Sequence, residues 1–365
     1  MRVIILAALL AFQSSLLAQP AEAFQFVDEE QTYGLNEWMS LNHTPGLSYY
    51  MESGDGTEYI WQEGNHLPES SDGFDEETVF PMGALSKFPV AFLTLRLVEL
   101  GKIELDAPVN NYLIRWKIPG NRADEVSVRD LLLSRHKWKG GYKPAGYPTS
   151  EPLPDIVELL EGPTLHLPEG IRLRGRRGEN ADTEYGNWLI LQLLVEDQFG
   201  GSLPEVAQRE MFEPLGMHHS FYAAELSEAQ AATAAWGHNE EGQPLESRFR
   251  YPELGAAGLW STPTDYAKFV RHVQAAAAGE DNNLLSQALA KSGLEPAYGV
   301  RSLIFHINQY GDPYGGGNCQ GYYVSFACSQ EYGWINVATS NRNLNWRVVN
   351  YALGQTHDWL LAQNK

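Results

Sequence analysis

One turn at the start of a predicted helix carries a potential proton acceptor but no nucleophile beside it. The sequence there reads Ala84-Leu85-Ser86-Lys87. Residues three apart share a helix face, so the amine of Lys87 can reach a group at position 84 and take up its proton when burial lowers the lysine pKa. The alanine methyl cannot attack a carbonyl, which excludes covalent acyl transfer at this position. Ser86 does not replace it, because two helical steps turn its side chain about 200° away and Pro89 stands where its own lysine would be needed.

Four regions in a fixed chain order resemble one superfamily of hydrolases. They are residues 80–92 (FPMGALSKFPVAF) with 97–109 (LVELGKIELDAPV), residues 182–196 (DTEYGNWLILQLLVE) with 211–217 (MFEPLGM), residues 252–269 (PELGAAGLWSTPTDYAKF), and the glycines 315–317. Together they are similar to the motifs of the serine β-lactamases and penicillin-binding proteins, in the branch of class C β-lactamases, DD-peptidases and related esterases. The resemblance extends over about residues 40–362.

The resemblance assigns a role to each matching residue. Ala84 stands where the family has its nucleophilic serine, Tyr185 matches the base that shuttles the serine proton, and Asn187 matches the amide that holds the acyl side chain of the substrate. Gly315 replaces a cationic residue that positions a carboxylate. The oxyanion hole of the family uses two backbone N–H groups, matched here by Ala84 and Asn318, and backbone donors survive side-chain replacement. The candidate site therefore contains Lys87 and Tyr185 as catalytic remnants and, for ligand binding, Asn187, Gly315, Gly317 and Asn318.

Other kinds of chemistry have weaker support. Segment 131–137 (LLLSRHK) departs from the Leu-Leu-Thr-His-Thr-Ser-Gly common in the family, and its Ser134-x-x-Lys137 does not open the central helix. The pair His218-His219 is typical of exposed loop residues. The sequence has no spaced His/Cys ligand motif, no Gly-x-Ser-x-Gly elbow and no phosphate-binding loop. We expect neither a metal nor a cofactor.

The elements that position these residues alternate along the chain. Strand patterns are found at Leu47–Met51, Tyr59–Gln62, Val300–Ile307, Gly321–Ala327 and Gly333–Thr339. Helical patterns are found at Ala84–Leu100, at several places between residues 106 and 250, at Thr264–Ala276 and at Trp346–Leu361. This order predicts an α+β fold in which an antiparallel sheet is flanked by N- and C-terminal helices and receives an inserted, mainly helical lobe, as in β-lactamases and transpeptidases.

The predicted domain spans residues 24–365. Its α/β lobe comprises about residues 24–105 and 255–365, its helical lobe comprises about residues 106–254, and the cleft lies between the lobes. Residues 1–23 have the basic start, short apolar run and small-x-small end of a secretory signal. No later stretch approaches the roughly 20 apolar residues of a membrane helix. We expect a periplasmic or secreted protein without a membrane span.

The net charge excludes some classes of binding partner, and the two cysteines raise the question of a disulfide. The formal charge is -20, and the resulting field repels polyanions, so nucleic acid and anionic membranes are not expected as partners. Cys319 and Cys328 would lie roughly 30 Å apart on one extended strand, too far to bridge. A hairpin between them could bring them together, so their pairing stays open.

The leading hypothesis is a secreted pseudoenzyme that binds a peptide-like or β-lactam-like ligand, for instance a cell-wall fragment, in a degenerate cleft. The first alternative is an active hydrolase in which Lys87 and Tyr185 activate water. The second is an ordinary enzyme silenced by a Ser-to-Ala change introduced at position 84. The third is an interaction protein that uses its acidic surface. The oligomeric state is not inferred.

Overall fold

The computed structural model describes residues 26–28, 31–68, 70–139, 145–175, 177–178, 185–280, 284–350 and 352–354. The predicted signal segment 1–23 lies outside these ranges. The strands are β1 Phe26–Asp28, β2 Gln31–Tyr33, β3 Leu47–Glu52, β4 Glu58–Glu63, β5 Phe80–Pro81, β6 Lys137–Trp138, β7 Leu173–Arg174, β8 Phe221–Tyr222, β9 Leu259–Ser261, β10 His306–Ile307, β11 Pro313–Cys319, β12 Tyr322–Cys328 and β13 Ile335–Ser340.

The α-helices are α1 Leu35–Leu41, α2 Lys87–Glu99, α3 Val128–Leu132, α4 Ile156–Glu161, α5 Tyr185–Phe199, α6 Leu203–Ala207, α7 Glu213–Leu215, α8 Glu228–Thr233, α9 Leu254–Ala257, α10 Pro263–Ala278 and α11 Gln287–Ser292. Short 3₁₀ helices cover Gly83–Ser86, Val109–Asn111 and Ala123–Glu125, and Gln208–Phe212 forms a π-helical turn. None of the helices in the described ranges is long and apolar enough to cross a bilayer.

The main sheet joins the two ends of the chain. It has six antiparallel strands in the order β10-β11-β12-β13-β3-β4. Strands β13 and β3 pair over their full length, from Ile335 opposite Glu52 to Ser340 opposite Leu47. The predicted α+β fold, with an antiparallel sheet assembled from distant segments, is therefore confirmed.

Side chains on the central strands alternate between two apolar layers, as the two-residue period of a strand requires. Tyr49 and Met51 pack with α1 and with Val348 and Val349, whereas Tyr50 belongs to the larger cluster around α2, α5 and α10. Residues 346–350 and 352–354 are helical. The remainder of the predicted C-terminal helix lies outside the described residues.

The central helix begins irregularly. The chain enters through the 3₁₀ turn Gly83–Ser86 and continues as α2, which is buried on almost all sides. Pro89 is tolerated in the first turn of α2 because the amides of a first turn have no intrahelical acceptor. Gly101 adopts a φ of 65° just beyond the helix, a conformation that favours glycine.

Two strand assignments differ from the sequence prediction. Of the predicted strand Val300–Ile307 only β10 forms, because Ser302 Oγ accepts hydrogen bonds from the amides of Ile304 and Phe305 and folds the segment into a turn. Strand β11 was not predicted, since its central glycines lack the β-branched and aromatic side chains typical of strands. Regular antiparallel pairing with β12 fixes β11 in an extended conformation.

Strands β11 and β12 form the hairpin that could have paired the two cysteines, but their register separates them. Cys319 lies opposite Tyr322 beside the turn, whereas the Cys328 sulfur lies 3.7 Å from the Pro313 carbonyl at the other end of the hairpin. Both thiols are free and buried. Burial raises the pKa of the Cys319 thiol to about 12.

A buried carboxyl group lies directly before α9, which packs against both α5 and the 3₁₀ turn that contains Ala84. Glu253 has no exposed surface, and neither of its carboxyl oxygens accepts a hydrogen bond from another described residue. Burial raises the pKa of Glu253 to about 8. The folded protein therefore holds a proton at neutral pH that the unfolded chain releases.

Glu253→Gln should raise stability at neutral pH and leave it nearly unchanged in mild acid. Because the folded pKa lies above the unfolded one, the free energy of unfolding falls by up to about 1.4 kcal/mol per pH unit between about pH 4.5 and pH 8. Glutamine removes this loss, worth about 3 kcal/mol at pH 7. Urea unfolding at pH 5, 6, 7 and 8 measures it, with the exposed Glu246→Gln as control. If the free energy of unfolding of the two variants changed with pH in the same way, Glu253 would be ionised in the folded protein.

Candidate active site

Ala84 is half-buried in the 3₁₀ turn before α2, and strand β11 packs against this turn. A Cβ added to Gly317 would lie 2.6 Å from the Met82 carbonyl oxygen and 2.8 Å from the Ala84 nitrogen. A Cβ on Gly83 would lie 3.3 Å from the Asn318 nitrogen. Glycine is therefore needed at 317, and the backbone amides of Ala84 and Asn318 are brought into the same small region.

Ser86 has a structural role. It is fully buried, and its hydroxyl donates to the Gly83 carbonyl at 2.6 Å while accepting from the Leu259 amide at 3.0 Å. These bonds tie the 3₁₀ turn to strand β9. As the helical geometry predicts, Ser86 faces away from the position of a nucleophile at residue 84.

Lys87 and Tyr185 are brought together across α2 and α5. Lys87 is 5% exposed, and its Nζ lies 4.1 Å from the centre of the Tyr185 ring. A cation over the face of an aromatic ring is stabilised by about 0.5–2 kcal/mol, more when it is desolvated. The lysine and tyrosine predicted as catalytic remnants thus form one contact pair, in which the ammonium group lies over the ring face.

Asn187 lies beneath Trp138. Its side chain is fully buried, and its Oδ1 accepts a hydrogen bond of 2.9 Å from Trp138 Nε1. The same indole covers the helix beside it, since a Cβ on Gly186 would lie 2.7 Å from the Trp138 ring. The predicted contact of Asn187 with a ligand stays a prediction; among the described residues its Nδ2 has no hydrogen-bond partner.

Aromatic side chains fill the space beside Gly315, where the resemblance leads us to expect a cationic residue. A Cβ on Gly315 would lie 2.5 Å from the Phe88 ring and 2.8 Å from the Phe326 ring. Phe88 makes edge contacts with Phe305 and Phe326 at ring-centre distances of 5.4 and 5.9 Å. Phe88 was not singled out from the sequence, although its place directly after Lys87 in the first motif is visible there.

Asn318 and Gly316 form the exposed side of β11. Asn318 Oδ1 accepts a hydrogen bond of 3.0 Å from the Leu344 amide, which fixes the loop after β13 to this strand. Leu344 has a φ of 51° and is partly exposed. Among the described residues no group of three His, Cys, Asp or Glu side chains is arranged to hold a metal ion.

Comparisons with known proteins identify the family. A family model described as Beta-lactamase matches residues 43–352. Teichoic acid D-alanine hydrolase of Staphylococcus aureus (strain MRSA252) is 25% identical over 201 residues, which are 54% of this chain and 46% of the relative. The match therefore spans about half the length of that relative.

Solved structures share the fold at low sequence identity. FmtA from Staphylococcus aureus superposes with a TM-score of 0.70 and 19% identity over 91% of this chain and 88% of that chain. A class C β-lactamase superposes with a TM-score of 0.68 and 18% identity over 91% of this chain and 94% of that chain. The family expected from the motifs is confirmed: the chain belongs to the β-lactamase family of serine-hydrolase-related proteins.

Proposed function

We propose that this protein is a non-acylating member of its family, a pseudoenzyme that binds a D-alanyl ester or amide in the cleft without forming a covalent intermediate. The observation that carries the proposal is the methyl group of Ala84, which stands half-exposed one helical turn before Lys87, where the family has its nucleophile. Attack on a carbonyl needs a lone pair at this place, and a methyl group has none.

Two neighbouring features support the same conclusion. The Phe88 and Phe326 rings fill the space that a side chain at position 315 would need, and the Trp138 indole donates to Asn187 Oδ1. The sequence departs from the family pattern at 315 and in segment 131–137 as well as at 84. The departures at three separate places favour a long-established loss of acylation.

The retained backbone supports ligand binding. The amides of Ala84 and Asn318 lie at the contact between the 3₁₀ turn and β11, which does not depend on the side chain at 84. Two such donors can hold a carbonyl oxygen. A teichoic acid D-alanine hydrolase among the relatives suggests a D-alanyl group as the acyl part of the ligand. The secretory signal pattern of residues 1–23 would place the protein in the periplasm or outside the cell, where such groups occur.

Covalent labelling tests the loss of acylation. We expect the unaltered chain to remain unlabelled by a fluorescent penicillin or a fluorophosphonate and to hydrolyse neither nitrocefin nor p-nitrophenyl acetate. Ala84→Ser restores a hydroxyl within reach of Lys87 and should give slow labelling, which Lys87→Ala in the same background removes. Labelling of the unaltered chain, or turnover that Lys87→Ala abolishes, would favour the alternative of an active hydrolase.

Non-covalent binding tests the second half of the proposal. Isothermal titration calorimetry should detect D-alanine methyl ester binding to the unaltered chain more tightly than the L enantiomer. Ala84→Leu fills the cleft and should weaken binding at least tenfold, about 1.4 kcal/mol. The matched control is Ala229→Leu on the exposed face of α8, which should bind as the unaltered chain does. Equal affinities of the two leucine variants would rule out the cleft as the binding site.

The coupling between positions 88 and 315 is measurable by a double-mutant cycle. Gly315→Lys should destabilise the fold, since overpacking alone costs about 1–3 kcal/mol, and Phe88→Ala should do so by leaving a cavity. The double variant should lose at least about 1 kcal/mol less stability than the sum of the two single losses, because alanine at 88 leaves room for the lysine at 315. Gly316→Lys is the control, since a Cβ there meets nothing closer than 3.5 Å. Additive losses at 88 and 315 would mean that Phe88 does not exclude the cation.

A further inference from the structure

Two segments far apart in sequence form a short antiparallel ribbon beside the cleft, which we call the cationic ribbon (residues 135–139 and 172–175). Within it β6 pairs with β7, so that Lys137 lies opposite Arg174. The Lys139 amide donates to the Arg172 carbonyl at 2.8 Å and extends the pairing. The ribbon therefore has a defined register and two distinct faces.

Burial alternates along the first segment of the cationic ribbon. His136 and Trp138 are 1% and 2% exposed, whereas Arg135, Lys137 and Lys139 reach the surface. Successive side chains of a strand point to opposite faces, so Lys137 lies on the outer face, and the bond from Lys139 to Arg172 continues the pairing in that direction. Arg135 precedes β6 and turns towards Asp130 and the Tyr298 ring. Cross-strand pairing places Arg174, and by alternation Arg172, on the outer face as well.

Few carboxylates offset these charges. Within the described ranges neither Lys137 nor Arg174 takes part in an ion pair, although they stand directly opposite each other. To described residues, Arg172 donates to the backbone carbonyls of Ile171 and Glu161. Like charges at paired positions of a ladder are destabilising. Counted over the described residues, the outer face thus keeps a local excess of positive charge.

The remaining cations of this region are partly neutralised. Lys139 pairs with Glu169. Arg135 shares the buried carboxylate of Asp130 with Arg177, at 3.5 and 2.7 Å. The excess is therefore centred on Lys137, Arg174 and Arg172, in a chain whose overall formal charge is -20.

The inner face of the cationic ribbon contacts the candidate active site. Trp138 donates to Asn187 and covers Gly186, and both of these residues follow Tyr185 on α5. Lys137 is the chain neighbour of Trp138, with its side chain on the opposite face. An anion bound along the outer face would therefore lie on the side of the ribbon that faces away from Tyr185, against the outer surface of this wall.

We propose that the cationic ribbon binds an extended polymer of phosphodiester-linked units and holds it along this wall of the cleft. The inference deepens the proposed function, and it rests on that function for the idea that the same polymer presents the D-alanyl group. Arginine and lysine are the side chains that recognise phosphate oxygens in proteins. A row of cations spaced by two strand residues, about 6.7 Å, matches a line of repeated charges rather than a single ion.

The acidic surface elsewhere does not prevent such binding. At physiological salt the Debye length is about 8 Å, so charges farther from the ribbon than this are largely screened. The local excess then determines the interaction. Screening also predicts that the affinity falls steeply as salt is added.

The test uses alanine-free poly(glycerol phosphate) and the full chain. Fluorescence anisotropy at several salt concentrations should show binding by the unaltered protein that weakens with salt. Lys137→Gln combined with Arg174→Gln should weaken binding at least tenfold and reduce its salt dependence, because two phosphate contacts are lost. The control is Lys291→Gln combined with Arg209→Gln, which removes the same charge from exposed sites on α11 and the π-helical turn.

Several outcomes would overturn the proposal. They are equal affinity of the ribbon variant and the unaltered chain, an equal loss in the control variant, and binding to phosphatidylglycerol vesicles without binding to the polymer. Thermal unfolding confirms that the ribbon variant is folded. Ala84→Leu should leave polymer binding intact, and the ribbon variant should still bind D-alanine methyl ester. A failure of the ribbon is thereby distinguished from a failure of the cleft.

Discussion

Strand β11 runs so close to the 3₁₀ turn Gly83–Ser86 that Gly317 has no room for a side chain. This backbone contact attaches the edge region of the sheet to the beginning of the central helix. It also brings the amides of Ala84 and Asn318 together without help from the side chain at 84. Further elements depend on it: α9 packs behind the turn, and the loop at Leu344 is held to β11 through Asn318.

Around this contact, apolar and aromatic packing is found where the resemblance leads us to expect charged or reactive groups. Active chemistry of the family type needs a hydroxyl, a neighbouring cation and a free amide near the turn. This chain instead places a methyl group, the Phe88 ring and the Trp138–Asn187 hydrogen bond in the corresponding places. Lys87 contacts the Tyr185 ring, with its Nζ 4.1 Å from the ring centre. The backbone amides of Ala84 and Asn318 remain close together, and the binding role proposed for this protein depends on them.

The fold and the membership of the family could be predicted because the motifs keep their order and because α2 has an unmistakable apolar pattern. The pairing of Lys87 with Tyr185 also followed from the motifs. The filling of the space at Gly315 could not be predicted, since it depends on the rotamer of Phe88 and on a glycine-rich strand without a strand signal. The cationic ribbon was likewise hidden, because its two segments are ordinary loops until the register places Lys137 opposite Arg174.

The contact between Phe88 and Gly315 also has an evolutionary consequence. A lineage that acquires a serine at position 84 regains a hydroxyl, but any side chain at 315 meets the aromatic cluster, and a smaller residue at 88 first leaves a void. Single substitutions therefore reach a cation at 315 only through a less stable protein. The packing would act as a ratchet against regaining that charge, whatever residue stands at 84.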